Sequence, residues 1–121
     1  MVQYLERDLV SEAVPAIARL GTSFRIGVEF EYRRGRVDLV GVSLAGNLHA
    51  FEAKLYRWRE ALRQAYRCTT FAHYSYVLLP PETAIRAYRH RGEFEALGVG
   101  LISVNAAKVT LLVRPVLQPP I

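Results

Sequence analysis

Leu5, Leu9, Glu12, Ala16 and Leu20 recur every three to four residues, so Gln3 to Leu20 is expected to form an amphipathic helix with a glutamate inside its apolar stripe. Pro15 lacks the amide an interior turn needs and should kink or divide that helix. Gly21 should end it. The period then falls to two. From Ser23 to Tyr32, the apolar Phe24, Ile26, Val28, Phe30 and Tyr32 alternate with Arg25, Gly27, Glu29 and Glu31, as in a strand with one buried face. Arg33-Arg34-Gly35 turns the chain, Val37 to Leu44 forms a second strand, Gly46-Asn47 turns it again, and Leu48 to Tyr56 forms a third. This third strand is apolar on both faces except at Glu52 and Lys54.

Helical spacing returns from Arg57 to about Ala72, with Trp58, Ala61, Leu62 and Ala65 on one face and Arg59, Arg63 and Arg67 on another. Tyr74 to Leu79 reads as a short strand, stopped by Pro80-Pro81, and a helical stretch runs from Pro81 towards Leu97. Gly98 and Gly100 lead into a strand at Leu101 to Val104, and Val109 to Val113 follows as an edge strand. The Gln118-Pro119-Pro120 tail is expected to be unstructured. The order is therefore α-β-β-β-α-β-α-β-β. Short turns between the first strands and helical crossovers after them predict an α/β (α+β) fold, a mixed sheet flanked by helices. With no repeat and no linker, residues 1–121 read as a single domain, since 121 residues suffice for one core and not for two.

Residues two apart on a strand share a face, so Glu52 and Lys54 project together while Phe51, Ala53 and Leu55 enter the opposite layer. A buried charge without compensation costs several kcal/mol or more, so this strand needs an ion pair, a metal or solvent access. Asp38, on the preceding strand, is the third member. If those two strands form a hairpin, both acids reach one edge of the sheet, where oxygen ligands and water suit Mg2+ or Mn2+.

Charge sharpens this picture. The net charge of +5 favours an anionic partner. Of the sixteen basic residues only Lys54 and Lys108 are lysine. Arginine grips phosphate in a planar fork whereas lysine is a compact point charge, so a lysine kept among arginines invites a chemical reason. A single cysteine, Cys68, excludes an internal disulfide and reads as helix packing. His49, His73 and His90 have no common spacing and receive no ligand role. No apolar run approaches the roughly 18 residues of a membrane span, and the mixed charges near Met1 lack the order of a signal peptide. A cytoplasmic protein with no membrane association is expected.

Val37-Asp38-Leu39-Val40, thirteen intervening residues, and Phe51-Glu52-Ala53-Lys54-Leu55 together resemble the PD-(D/E)xK nuclease superfamily. The resemblance covers roughly Leu5 to Leu79, including a leading helix and a following helix with Arg63-Gln64-Ala65. A lone Glu-x-Lys arises by chance in most proteins; the strand context, the upstream acid and the glutamine carry the resemblance. The Pro-Asp of the superfamily's name is Val37-Asp38 here, which leaves the ligand intact.

The resemblance implies a restriction-endonuclease-like core that hydrolyses phosphodiester bonds of nucleic acid, DNA rather than RNA. Asp38 and Glu52 would bind the metal, and Lys54 would orient or activate water and stabilise developing charge. Glu12 of the first helix, or Glu29 or Glu31 of the first strand, would add a carboxylate, and Gln64 would line the site. Arg59, Arg63 and Arg67 would contact phosphate. A chain this small covers little duplex, which leaves room for a homodimer. Each reading has a plainer competitor: a salt-bridged cluster at a strand end, a partly exposed helix acid at Glu12, exposed sheet residues at Glu29 and Glu31, and a solvated arginine face. Tyr56, Trp58, Tyr66 and Phe71 could stack bases, though such aromatics are more often core or interface. The functional alternative is a nuclease fold that binds nucleic acid or a partner without cutting.

Overall fold

The computed structural model describes residues 3–18, 25–32, 35–106 and 108–118, with the backbone alone for 25–32 and 35–36. The first helix, α1 (Glu6–Ala18), is opened by the Leu5 amide donating to Asp8 Oδ2 at 2.7 Å, which satisfies one of the amides a helix start leaves unpaired. There follow β1 (Arg25–Tyr32), β2 (Gly35–Val42), β3 (Leu48–Ala53), α2 (Trp58–Arg67), β4 (Tyr74–Leu79), α3 (Pro81–Tyr88), α4 (Arg91–Leu97), β5 (Gly100–Asn105) and β6 (Lys108–Val113).

The strands form one sheet in the order β1-β2-β3-β4-β5-β6. Pairs β1–β2, β2–β3 and β5–β6 are antiparallel, while β3–β4 and β4–β5 are parallel. Connection length dictates this: the antiparallel pairs are joined by two to five residues, and parallel neighbours are reached through helices. One face is covered by α1, whose Leu9, Val10, Ala13 and Ile17 pack on Leu39, Phe51, Ala53, Leu78, Ile102 and Val104. The other is covered by α2, α3 and α4, where Trp58, Leu62, Ala84 and Phe94 pack on Val77, Leu79 and Leu101. Fully burying each large apolar side chain contributes about 1.5–3 kcal/mol, so both layers hold the sheet end that carries the acids.

Several expectations change. Pro15 lies inside α1 without dividing it, because Pro15 and Ser11 are both exposed and water can serve the carbonyl that loses its helical partner. Gly21 lies outside the described residues, as does the facial pattern of β1's side chains. The stretch from Pro81 to Leu97 is two helices, not one. At the joint the His90 amide bonds the Ala87 carbonyl at 2.9 Å, a tighter turn than α-helical, and the His90 ring stacks on Trp58 at 5.4 Å. The second helix expected to reach Ala72 ends at Arg67 and continues as a 3-10 turn, Cys68–Thr70. Gln118 is tied down by its amide to the His73 carbonyl at 2.7 Å, whereas Pro119 and Pro120 lie outside the described residues. Gly98 adopts φ +69 as the left-handed cap of α4, a conformation that favours glycine.

Candidate active site

Because β2 runs antiparallel to β3, the start of one meets the end of the other, and this brings Asp38 to Glu52. The paired register ends at Leu39–Phe51. Beyond it the Ala53 amide donates to Asp38 Oδ2 at 2.8 Å, so the aspartate stands in for a backbone acceptor. Glu52 pairs in register with Val77, on the face covered by α2, and is only 3% exposed. Cys68 Sγ lies 4.0 Å from Glu52 Oε1 and 3.4 Å from the Gln64 carbonyl, so the cysteine packs beneath the acid, as expected.

Burial pushes the Glu52 carboxyl up to about 8, reinforced by the negative charge of Asp38 and by side-chain hydrogen bonding with it. The Lys54 ammonium and the Asp38 backbone pull weakly the other way. Two carboxylates this close in a dry setting resist ionising together.

The strand expected to reach Tyr56 stops at Ala53, and the Lys54 amide makes one more cross-strand bond, to the Leu78 carbonyl at 3.3 Å. Lys54 Nζ then lies 3.6 Å from Glu60 Oε1 on α2. Glu60 is a hub that sequence reasoning missed. It also meets Arg57 at 3.8 Å and accepts from Gln64 Nε2 at 3.5 Å. The signal available was the four-residue spacing of Glu60 and Gln64 on the helix that follows Lys54. Gln64 is thus connected to Lys54 through Glu60.

The other predicted residues are placed as follows. Glu12 Oε2 accepts from the Tyr4 hydroxyl at 2.8 Å, at an exposed position. Among the described residues no three His, Cys, Asp or Glu side chains cluster as a metal site, so Glu12 does not join Asp38 and Glu52. Glu29 occupies the position between the Val28–Leu39 and Phe30–Val37 pairs, directly across from Asp38 in register. The side chains of Glu29 and Glu31 lie outside the described residues. Arg59 is committed elsewhere: it donates to both Glu93 oxygens, at 3.2 and 2.9 Å, and lies 4.3 Å over the Trp58 ring. Arg63 and Arg67 are exposed on α2.

The histidines are scattered. His49 bonds the Tyr76 hydroxyl at 2.9 Å and stacks on Tyr74, and burial, then His73, pushes it down to about 4. His73 Nδ1 accepts the Leu48 amide at 2.9 Å, and His90 stacks on Trp58.

No family model and no curated protein matches this chain. Two solved structures do. A protein of unknown function from Silicibacter pomeroyi matches 99% of this chain and 78% of its own, with TM-score 0.74 and 17% identity. A repair endonuclease from Pyrococcus abyssi matches 76% of this chain, with TM-score 0.51 and 20% identity. Over that part the chain shares the fold of the endonuclease, a mixed sheet flanked by helices. This chain spans 46% of that endonuclease, and at such identities the likeness concerns the fold alone. No described helix is long and apolar enough to cross a membrane.

Proposed function

We propose that this protein is a metal-dependent nuclease that hydrolyses phosphodiester bonds of nucleic acid, DNA more readily than RNA. The observation that carries the reading is the juxtaposition of Asp38 with the buried carboxyl of Glu52 at the ends of two paired strands. Two adjoining carboxylates that repel each other form a hard oxygen donor set that a dication completes. Mg2+ is commonly bound by one or two carboxylates together with waters and substrate phosphate, so a two-acid site fits it, and Mn2+ shares its preference for oxygen.

Asp38 and Glu52 would hold the ion, with Glu29 better placed by register than Glu12 to supply a third carboxylate. The ion, when bound, would neutralise charge on the phosphoryl oxygens and lower the pKa of a water. Lys54 would stabilise the negative charge that develops on phosphate as water attacks. Its link to Glu60 keeps the ammonium beside the carboxylates while leaving it 21% exposed and able to turn towards a substrate. Gln64, held by the same glutamate, would line the site. The nuclease-like fold and the endonuclease of Pyrococcus abyssi support this reading.

The test is a cleavage assay on labelled single-stranded, nicked, branched and duplex DNA and on RNA, with magnesium, manganese or chelator. Lys54→Ala is expected to abolish cleavage while circular dichroism and thermal unfolding report an intact fold. Full activity in that variant would overturn the assignment.

A further inference from the structure

At the sheet end that carries Asp38 and Glu52, a second feature faces solvent. A cleft of about 370 Å³ is lined by Tyr4, Leu55, Tyr56, Pro80, Pro81, Glu82 and Thr83. It lies where β3 and β4 both end, so Lys54 and the cleft follow one another along three consecutive residues. We propose that this cleft stacks one unpaired nucleobase of the substrate, beside the phosphate held at Asp38, Glu52 and Lys54. The inference rests on the nuclease reading above and adds to it a substrate class, nucleic acid with a single-stranded segment at the cut.

The walls argue for a base. Tyr56 is 74% exposed and Tyr4 41% exposed, so two aromatic rings of the cleft lining are open to a ligand. The Tyr4 hydroxyl is committed to Glu12, which fixes that ring and leaves its faces as its contribution. Pro80 and Pro81 add flat apolar surface with little conformational entropy to lose. The floor is firm, because Thr83 Oγ1 donates to the Leu55 carbonyl and ties the start of α3 to the loop that follows β3. A preformed cleft costs less to fill than one that must be ordered on binding.

Electrostatics separates a base from a phosphate. Lys54 and Arg57 flank Leu55 and Tyr56 in sequence, and both meet Glu60 on α2, at 3.6 and 3.8 Å. The cleft's own charged residue is Glu82, exposed at the start of α3. A carboxylate there repels backbone phosphate and can accept from the exocyclic amino group of a base. Neighbouring strands are about 4.8 Å apart, so from Asp38 on β2 to the cleft beyond β3 and β4 is about 5–10 Å. A nucleic-acid strand covers that in one to three nucleotides at about 3.4 Å of rise each. Duplex DNA keeps its bases stacked inside and offers none to the cleft.

The experiment uses the full chain in chelator, with ten-nucleotide single-stranded DNAs of deoxycytidine that carry one 2-aminopurine at successive positions. Fluorescence anisotropy gives affinity, and 2-aminopurine emission, which falls on stacking, reports the base in the cleft. One position is expected to be quenched. Tyr56→Ala should weaken binding about tenfold and abolish the quenching, while Tyr56→Phe and Tyr4→Phe retain both. A blunt duplex should bind more weakly than the single strand and show no quenching. Wild-type affinity and quenching in both Tyr56→Ala and Tyr4→Ala, or quenching at no position, would overturn the proposal.

Cleavage measured separately with magnesium distinguishes the two readings. Cleavage with no role for Tyr56 in binding sinks the subsite alone. Tyr56-dependent quenching without cleavage of any substrate upholds the subsite as a binding feature and sinks the nuclease reading.

Discussion

Replacing Glu52 with glutamine should stabilise the metal-free protein, increasingly so as the pH rises. The carboxyl is raised from an ordinary 4.5 to about 8 in the folded state, chiefly by burial and then by Asp38. Between those values the unfolded chain releases the proton and the folded chain retains it, so the folded state binds more protons and stability falls as pH rises. The contribution is fully favourable below about pH 4.5 and is lost progressively up to about pH 8. At 1.36 kcal/mol per pH unit, the loss is under about 1 kcal/mol at pH 5 and about 3 kcal/mol at pH 7. Glutamine has nearly the same shape, never ionises, keeps an oxygen towards Cys68, and can donate to Asp38. Glu52→Gln should therefore raise the midpoint of thermal unfolding little at pH 5 and by about 10–20 °C at pH 7, at roughly 3–6 °C per kcal/mol.

The assay is thermal unfolding of wild type and Glu52→Gln in chelator from pH 5 to 9. His49 works in the opposite direction: pushed down to about 4 from 6.5, it costs stability as pH falls through that window. Both proteins carry His49, so the difference between them isolates Glu52. A gap that stays constant with pH, or that reverses at pH 8, would refute the account of Glu52. Magnesium provides a second arm. If Asp38 and Glu52 hold a dication, added magnesium should raise the wild-type midpoint at pH 7 to 8 by mass action, about 2.7 kcal/mol at a hundredfold excess over Kd, and leave Glu52→Gln nearly unmoved.

Two further perturbations test the surroundings. Arg63→Ala and Arg67→Ala should each reduce the salt dependence of DNA binding by about one unit of slope in a log–log plot, whereas Arg59→Ala, whose guanidinium is committed to Glu93 and Trp58, should leave the slope unchanged; equal slopes in all three would remove Arg63 and Arg67 from the phosphate path. Ser75 Oγ is buried without a hydrogen-bond partner among the described residues, so Ser75→Ala should be neutral to stabilising, by up to about 1–2 kcal/mol in denaturant unfolding, and a loss of stability would mean that the hydroxyl has a partner such as a buried water.

Much of the fold was legible because it is governed by period and connection length. The strand read from the alternation at Ser23 to Tyr32, the turn at Gly46-Asn47 between two strands, and the stop at Pro80-Pro81 after β4 are each set locally, and β1 at Arg25–Tyr32, the β2–β3 connection and the end of β4 at Leu79 lie where the pattern put them. Asp38 and Glu52 were legible because a hairpin joins their strands, so thirteen residues of separation fix their approach. What escaped depends on contacts between elements. Nothing in the spacing at Arg59 reveals that Glu93, on a helix three elements later, takes its guanidinium. The joint between α3 and α4 lacks a proline signal, being held by stacking of His90 on Trp58. Glu60 escaped for a subtler reason. A glutamate in the first turn of a helix is an ordinary favourable placement, and only the bend after Ala53, which turns Lys54 from strand to loop, converts it into the partner that holds the lysine beside the acids.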